Sequence, residues 1–114
     1  MQIDSHMSGD VQIVTVTEDR LDAAVAIQFK DRMRALSAQG AERIVLDMAE
    51  VRFLDSSGLG AVISAMKQMG HGRRLELAGL TPAVAKVFSL TRMDTVFTIH
   101  PDTAAATACA RRAG

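Results

Sequence analysis

The chain is poor in several features that would have narrowed its chemistry. It holds one cysteine, Cys109, in 114 residues, so no intrachain disulfide can form. Basic and acidic residues balance at 13 each. A nucleic-acid binder would be basic overall or carry a basic stripe. The longest basic features here are the pairs Arg73-Arg74 and Arg111-Arg112, which read as solvated surface, and direct nucleic-acid binding is not expected. No run approaches the ~18 apolar residues of a membrane span. The N-terminus lacks the basic start and apolar core of a signal peptide. A soluble cytoplasmic protein without membrane insertion is the expectation.

Catalytic signatures are missing too. Three scattered histidines and one cysteine lack metal-ligand spacing such as C-x-x-C or H-x-x-x-H, so neither a metal nor a cofactor is expected. No G-x-x-x-x-G-K-[ST] phosphate loop occurs. The nucleophile elbow G-x-S-x-G is not matched by L-D-S-S-G-L-G, where Asp55 stands in place of the first glycine. A serine nucleophile also needs a histidine base, and His6, His71 and His100 each read as surface residues. Cys109, in an Ala-rich helix, reads as a small core filler.

What the chain has is 48% hydrophobic residues, enough to bury a core over residues 1–114 as one domain. Gln2 to His6 reads as an edge strand, followed by a turn at Gly9 and Asp10. Val11 to Thr17 is β-branched and alternating, so the two suggest a hairpin. Glu18 to Asp22 reads as a polar loop. Asp22 would cap a helix from Ala23 to about Gln39, with Val25 or Ala26, Phe29, Met33 and Leu36 inward, ended by Gly40.

Arg43 to Met48 has the apolar run of a strand covered on both faces. A second helix buries Leu59, Val62, Ile63, Met66 and Met69 and stops at Gly70-His71-Gly72. Arg74 to Leu80 is a strand. Thr81-Pro82 opens a third helix to about Leu90, with Val84, Val87 and Phe88 inward. Thr95 to His100 reads as a last strand, and Pro101, Asp102 and Thr103 start a terminal helix ending at Gly114. The order ββ-α-β-α-β-α-β-α predicts an α/β fold: a mixed, mostly parallel sheet of about four to five strands with about four helices.

The stretch VRFLDSSGLGAVISAMKQM, Val51 to Met69, departs from ordinary helix-start chemistry. One Asp or Ser is enough to accept a hydrogen bond from an N–H of the first turn. Here Asp55, Ser56 and Ser57 crowd the start, and Gly58 and Gly60 weaken it by roughly 1 kcal/mol each relative to Ala. The positive end of the helix favours a negative group. A phosphate on a serine there would be tolerated locally, yet would add roughly −1.5 to −2 charges and three acceptor oxygens. That suffices to expel a partner shaped for a neutral hydroxyl. The plain alternative is a cap: Asp55 caps, the serines face solvent, and the glycines let the helix pack near the sheet. The motif's own physics leaves both open.

The run IVLDMAEVRFLDSSGLGAVISAMKQM resembles the signature of STAS domains, in particular the bacterial anti-sigma factor antagonists. DVQIVTVTEDRLDAA resembles that family's second strand and following loop, and LAGLTPAVAKVFSLTRMDTVFTIH its later strand, helix and final strand. The resemblance covers nearly the whole chain. It implies a single STAS-type domain with helices packed mainly on one side of a mixed sheet. It further implies a non-enzymatic module that sequesters an anti-sigma factor, itself a serine protein kinase of the histidine-kinase-like ATPase class. Phosphorylation would switch binding off and a serine phosphatase would restore it. The phosphoacceptor carried over is Ser56. Asp55 would hold the turn and flank the site, and Ser57, Gly58 and Leu59 would form the contact surface with Asp22. Where the family usually has Gly-x-Leu-Asp, this chain has Asp19-Arg20-Leu21-Asp22, which sets a charged, bulkier residue beside that surface. The alternative within the same family is a subunit docked permanently on a lipid-transport ATPase complex.

Overall fold

A computed structural model describes the backbone of residues 1–113 and the side chains of residues 1–108. The expected roles of Cys109, Arg111, Arg112 and Gly114 lie outside the described residues and side chains. The elements in chain order are β1 (Ile3–Ser8), β2 (Val11–Val16), β3 (Arg20–Leu21), α1 (Ala26–Ser37), β4 (Arg43–Asp47), β5 (Phe53–Leu54), α2 (Ser56–Met69), β6 (Arg74–Ala78), α3 (Pro82–Leu90), a 3-10 turn (Met93–Thr95), β7 (Ile99–His100) and α4 (Thr103–Ala113).

The main sheet runs β1-β2-β4-β6-β7. β1 lies antiparallel to β2 and the remaining pairs are parallel. The hairpin closes through Gly9 and Asp10, with Ser8 opposite Val11. Gly9 takes φ 62 there, a left-handed conformation that glycine adopts without steric cost. The mixed sheet expected from the element order is present.

Alternation along the strands divides the core. Val14, Val16, Ile44, Leu46, Leu75 and Leu77 turn to one face, where α1, α2 and α3 bring Phe29, Met33, Leu36, Leu59, Val62, Val84 and Phe88. Val11, Ile13, Val45 and Ala78 turn to the other face and meet Ala106 of α4. Three helices therefore cover one side and the thin, Ala-rich α4 covers the other.

The structure corrects several boundaries. The segment read as a polar loop contains β3, which pairs in parallel with β5 as a separate two-stranded sheet. Two residues are too short for a periodicity to register. Helix α1 begins at Ala26, not Ala23, and Asp22 is not its cap: the N-cap position is Val25, with no side-chain bond. The Asp22 carboxylate instead accepts from the Ala24 N–H at 3.1 Å, closing a turn before the helix. At the other end α1 stops at Ser37, three residues short of Gly40. Within α2, Ile63 and Met66 are only half-buried, while Ala61 and Ala65 are buried. Helices α1 and α2 pack against each other.

Strand β6 ends at Ala78 rather than Leu80. The stretch Thr95 to His100 is strand only at Ile99–His100. Phe97 turns into the core and meets Phe88 edge to face, with centroids 5.8 Å apart, and its N–H donates to the Met93 carbonyl of the 3-10 turn rather than to a strand. Arg73 is no solvated loop residue, because its guanidinium donates to the carbonyls of Ser37 and Ala41 at 2.6 and 2.9 Å. It ties the exit of α2 to the exit of α1.

Candidate functional site

The start of α2 is built on the small β3/β5 sheet. Leu21 and Leu54 point inward and are buried. By the two-residue alternation of strands, Arg20 and Phe53 point out, and both are exposed. The chain then passes through Asp55, in extended conformation at φ −102 and ψ −175, and enters the helix at Ser56.

Asp55 is the cap. Its Oδ1 accepts from the Gly58 N–H at 2.9 Å, the geometry of an N-cap carboxylate on the third helical residue. Its Oδ2 accepts from the Ala23 N–H at 3.3 Å. One carboxylate thus fixes the helix start and also fastens the turn that follows β3. The Asp55 N–H donates to the Leu21 carbonyl at 3.4 Å, extending the parallel pairing by one step. Asp22 faces the same junction, with its Oδ2 at 3.7 Å from the Arg20 guanidinium.

Capping therefore does not use the serines. Ser56 and Ser57 are exposed, and among the described residues neither hydroxyl has a hydrogen-bond partner. The two glycines differ. A Cβ on Gly58 would lie 2.0 Å from the Leu21 carbonyl oxygen, so the absent side chain is what lets α2 press against β3. A Cβ on Gly60 would meet nothing within 4 Å, and this residue keeps the outer face of the first turn bare. Gly58 and Leu59 are buried. Of the six residues singled out from the sequence, the structure gathers Asp22, Asp55, Ser56 and Ser57 around the turn and puts Gly58 and Leu59 beneath it.

None of the three histidines belongs to this turn. His6 lies on the outermost strand and His71 beyond the far end of α2. His100 is not the surface residue expected: its side chain is 11% exposed, and Nε2 lies 2.7 Å from Glu76 Oε1. No group of His, Cys, Asp or Glu able to hold a metal occurs among the described residues.

The Glu76 cluster is the feature the sequence reading missed. Arg43 Nε donates to Glu76 Oε1 at 3.0 Å, and Arg43 Nη2 donates to the Ala106 carbonyl of α4 at 3.0 Å. Burial pushes the Glu76 carboxyl upward, but the hydrogen bonds and charges of Arg43 and His100 outweigh it and hold the group below its ordinary value. The available signal was register: Arg43 and Glu76 sit inside apolar strands, at positions whose alternation turns them to the α4 face.

Comparisons with known proteins follow the same geometry. The family model described as the STAS domain matches residues 2–106. A protein of Bordetella bronchiseptica named as a candidate anti-sigma factor antagonist, BtrV, is 27% identical over 105 residues, covering 91% of this chain and 90% of its own. The crystal structure of a candidate anti-sigma factor antagonist from Thermotoga maritima superposes with a TM-score of 0.88 at 24% identity, over 96% of this chain and 94% of that one. The anti-sigma factor antagonist SpoIIAA in its unphosphorylated form gives 0.78 at 22% identity, over 96% of both chains. The phosphorylated form of the Bacillus protein gives 0.68 at 21% identity, over 95% of this chain and 99% of that one.

Proposed function

The chain belongs to the STAS domain family, and from that premise we propose that it is an anti-sigma factor antagonist controlled by phosphorylation of Ser56. It binds a kinase-type anti-sigma factor through the turn at the start of α2 and so frees the sigma factor. The observation that carries this reading is the pair of exposed, unbonded serine hydroxyls on a turn that Asp55 alone already holds. A hydroxyl without a structural task is free to be a substrate. Similarity to a protein solved in both unphosphorylated and phosphorylated forms agrees with it.

The chain is not the enzyme in this scheme. The partner transfers the γ-phosphoryl group of ATP to the Ser56 oxygen, and a separate serine phosphatase removes it. The added charge, roughly −1.5 to −2, stands beside the Asp22 and Asp55 carboxylates and is presented to the partner's contact surface. Ser57 and Asp22 contribute contacts there. Gly58 and Leu59 act from below, by setting the height of the turn.

The test is a pull-down from lysate of the source organism, with wild-type, Ser56→Ala and Ser56→Asp baits compared by mass spectrometry. The expected result is a kinase-like ATPase held by wild type and Ser56→Ala and lost by Ser56→Asp. A transporter ATPase held equally by all three baits would replace the switch with a permanently docked subunit.

A further inference from the structure

The sheet β3/β5 carries a cation that the reading above does not use. Arg20 is exposed, with 60% of its side chain in solvent. Its guanidinium carbon lies 5.5 Å from the centroid of the Phe53 ring, and a guanidinium nitrogen lies 3.7 Å from Asp22 Oδ2. The ion pair is long, exposed and therefore weak. Phe53 is itself 47% exposed, and the guanidinium lies over its ring as a cation–π contact.

Register and hydrogen bonds join the segment that holds this cation to the segment that leads into the acceptor serine. Arg20 is directly opposite Phe53, and Leu21 opposite Leu54. The chains stay joined one step further, through Asp55 N–H to the Leu21 carbonyl and Ala23 N–H to the Asp55 carboxylate. Ser56 follows Asp55 directly as the first residue of α2, and the Asp55 carboxylate is bonded to Ala23, the neighbour of the Asp22 that the Arg20 side chain reaches. Arg20, Asp22 and Phe53 share the outer face of this sheet by alternation. The charged residues on the two joined segments are Asp19, Arg20 and Asp22 on one and Arg52 and Asp55 on the other.

The geometry points to Arg20 as a phosphate relay: when Ser56 carries a phosphate, the guanidinium leaves Asp22 and the Phe53 ring and pairs with the phosphate. A dianion with three acceptor oxygens outcompetes a single carboxylate at 3.7 Å. The exchange changes the surface twice, adding the phosphate and uncovering the Phe53 ring. This inference rests on Ser56 being the phosphoacceptor. It extends that reading by giving the phosphorylated state its own internal contact.

The experiment uses the full chain with phosphoserine installed at position 56, so that neither kinase nor partner is needed. Phosphorus NMR follows the second ionisation of the phosphate, near pH ~6 in the free group, in the wild-type background and in Arg20→Gln and Arg52→Gln. Arg20→Gln is expected to raise the midpoint by about 0.5 on the pH axis, and Arg52→Gln by less than half as much. Equal midpoints in the two variants, or no change in either, would overturn the relay. Labelled phenylalanine gives the second readout. Phe29, Phe88 and Phe97 are buried, and the Phe53 ring resonances are expected to move on phosphorylation in wild type and stay put in Arg20→Gln. A Phe53 ring indifferent to phosphorylation in wild type also overturns the relay. Partner binding by the phosphorylated chain is scored separately: retained binding would defeat the switch and leave the relay standing, whereas an inert Arg20 would do the reverse.

Discussion

Two polar clusters sit on opposite faces of this fold, and they are built to opposite ends. On the α4 face, Glu76, Arg43 and His100 are packed into the interior, with side-chain exposures of 5%, 10% and 11%. There the carboxylate is surrounded by donors, and Arg43 reaches on to the Ala106 carbonyl. At the start of α2, Asp55 makes two hydrogen bonds of the same kind, yet the two hydroxyls beside it make none and stand in water. The buried cluster uses its polar groups to fasten elements together. The exposed turn uses one residue to fasten elements together and leaves two over. That surplus separates a functional polar site from a structural one, and burial is what reveals it.

The comparison breaks most visibly if the buried cluster is opened. Glu76→Ala leaves Arg43 without its carboxylate in a dry environment, which costs about 3–5 kcal/mol in buried pairs. Urea unfolding followed by circular dichroism should show a loss of that size. Acid acts on the same group. The folded-state value of Glu76 is lowered, so protonation favours the unfolded chain. Its contribution is complete above the unfolded carboxylate value, ~4.3 for Glu, and is lost as pH falls through the lower folded value. Unfolding free energy measured from pH 7 down to pH 3 should therefore decline more steeply in wild type than in Glu76→Gln.

A smaller loss is expected beneath the exposed turn. Gly58→Ala puts a methyl group 2.0 Å from the backbone oxygen of Leu21, and backbone cannot yield as a side-chain tip can. Overpacking of this kind costs about 1–3 kcal/mol, and the melting temperature should fall accordingly. Asp55→Ala follows at about 1 kcal/mol, the usual cost of a lost cap. Because Asp55 also holds Ala23, hydrogen exchange should speed up at residues 23–25 as well as at the first turn of α2. Faster exchange confined to α2 would mean that the link to the β3 segment carries no weight.

Much of this was legible before the structure. The strands at Val11 to Val16, Arg43 to Asp47 and Arg74 to Ala78 are long enough for their apolar runs to register; the helix from Ser56 begins at a recognisable cap, and the helix from Pro82 is marked by its proline, because the Thr81 hydroxyl donates to the Val51 carbonyl rather than capping it. The role of the DSSG run as a helix start, with Asp55 or Ser56 as cap, was readable as well. Structure was needed for what depends on contacts distant in sequence. Strands β3 and β5 have two residues each, and only their mutual pairing makes them strands. Asp22 looked like a cap because Asp before an apolar-periodic run usually is one; the engagement of Ala23 by Asp55, 32 residues away, moved the helix start to Ala26. Thr95 to His100 has the β-branched and aromatic content of a strand, but Phe97 packs on Phe88. Gly58 read equally well as a bare surface and as a packing allowance, and only the Leu21 carbonyl decides between them.

The smallest effect is the sharpest test of the contrast. Ser56→Ala removes a hydroxyl that is exposed and makes no bond among the described residues, at a helix position whose cap is a different residue. Exposed substitutions of this type stay within about 0.5 kcal/mol, and alanine is the better helix former of the two. Thermal unfolding of Ser56→Ala should therefore match wild type, and Ser57→Ala should do the same. If either serine proved to stabilise the fold by as much as Asp55, its hydroxyl would be a structural group after all. The turn would then resemble the Glu76 cluster, and its serines would be structural groups rather than candidates for regulation.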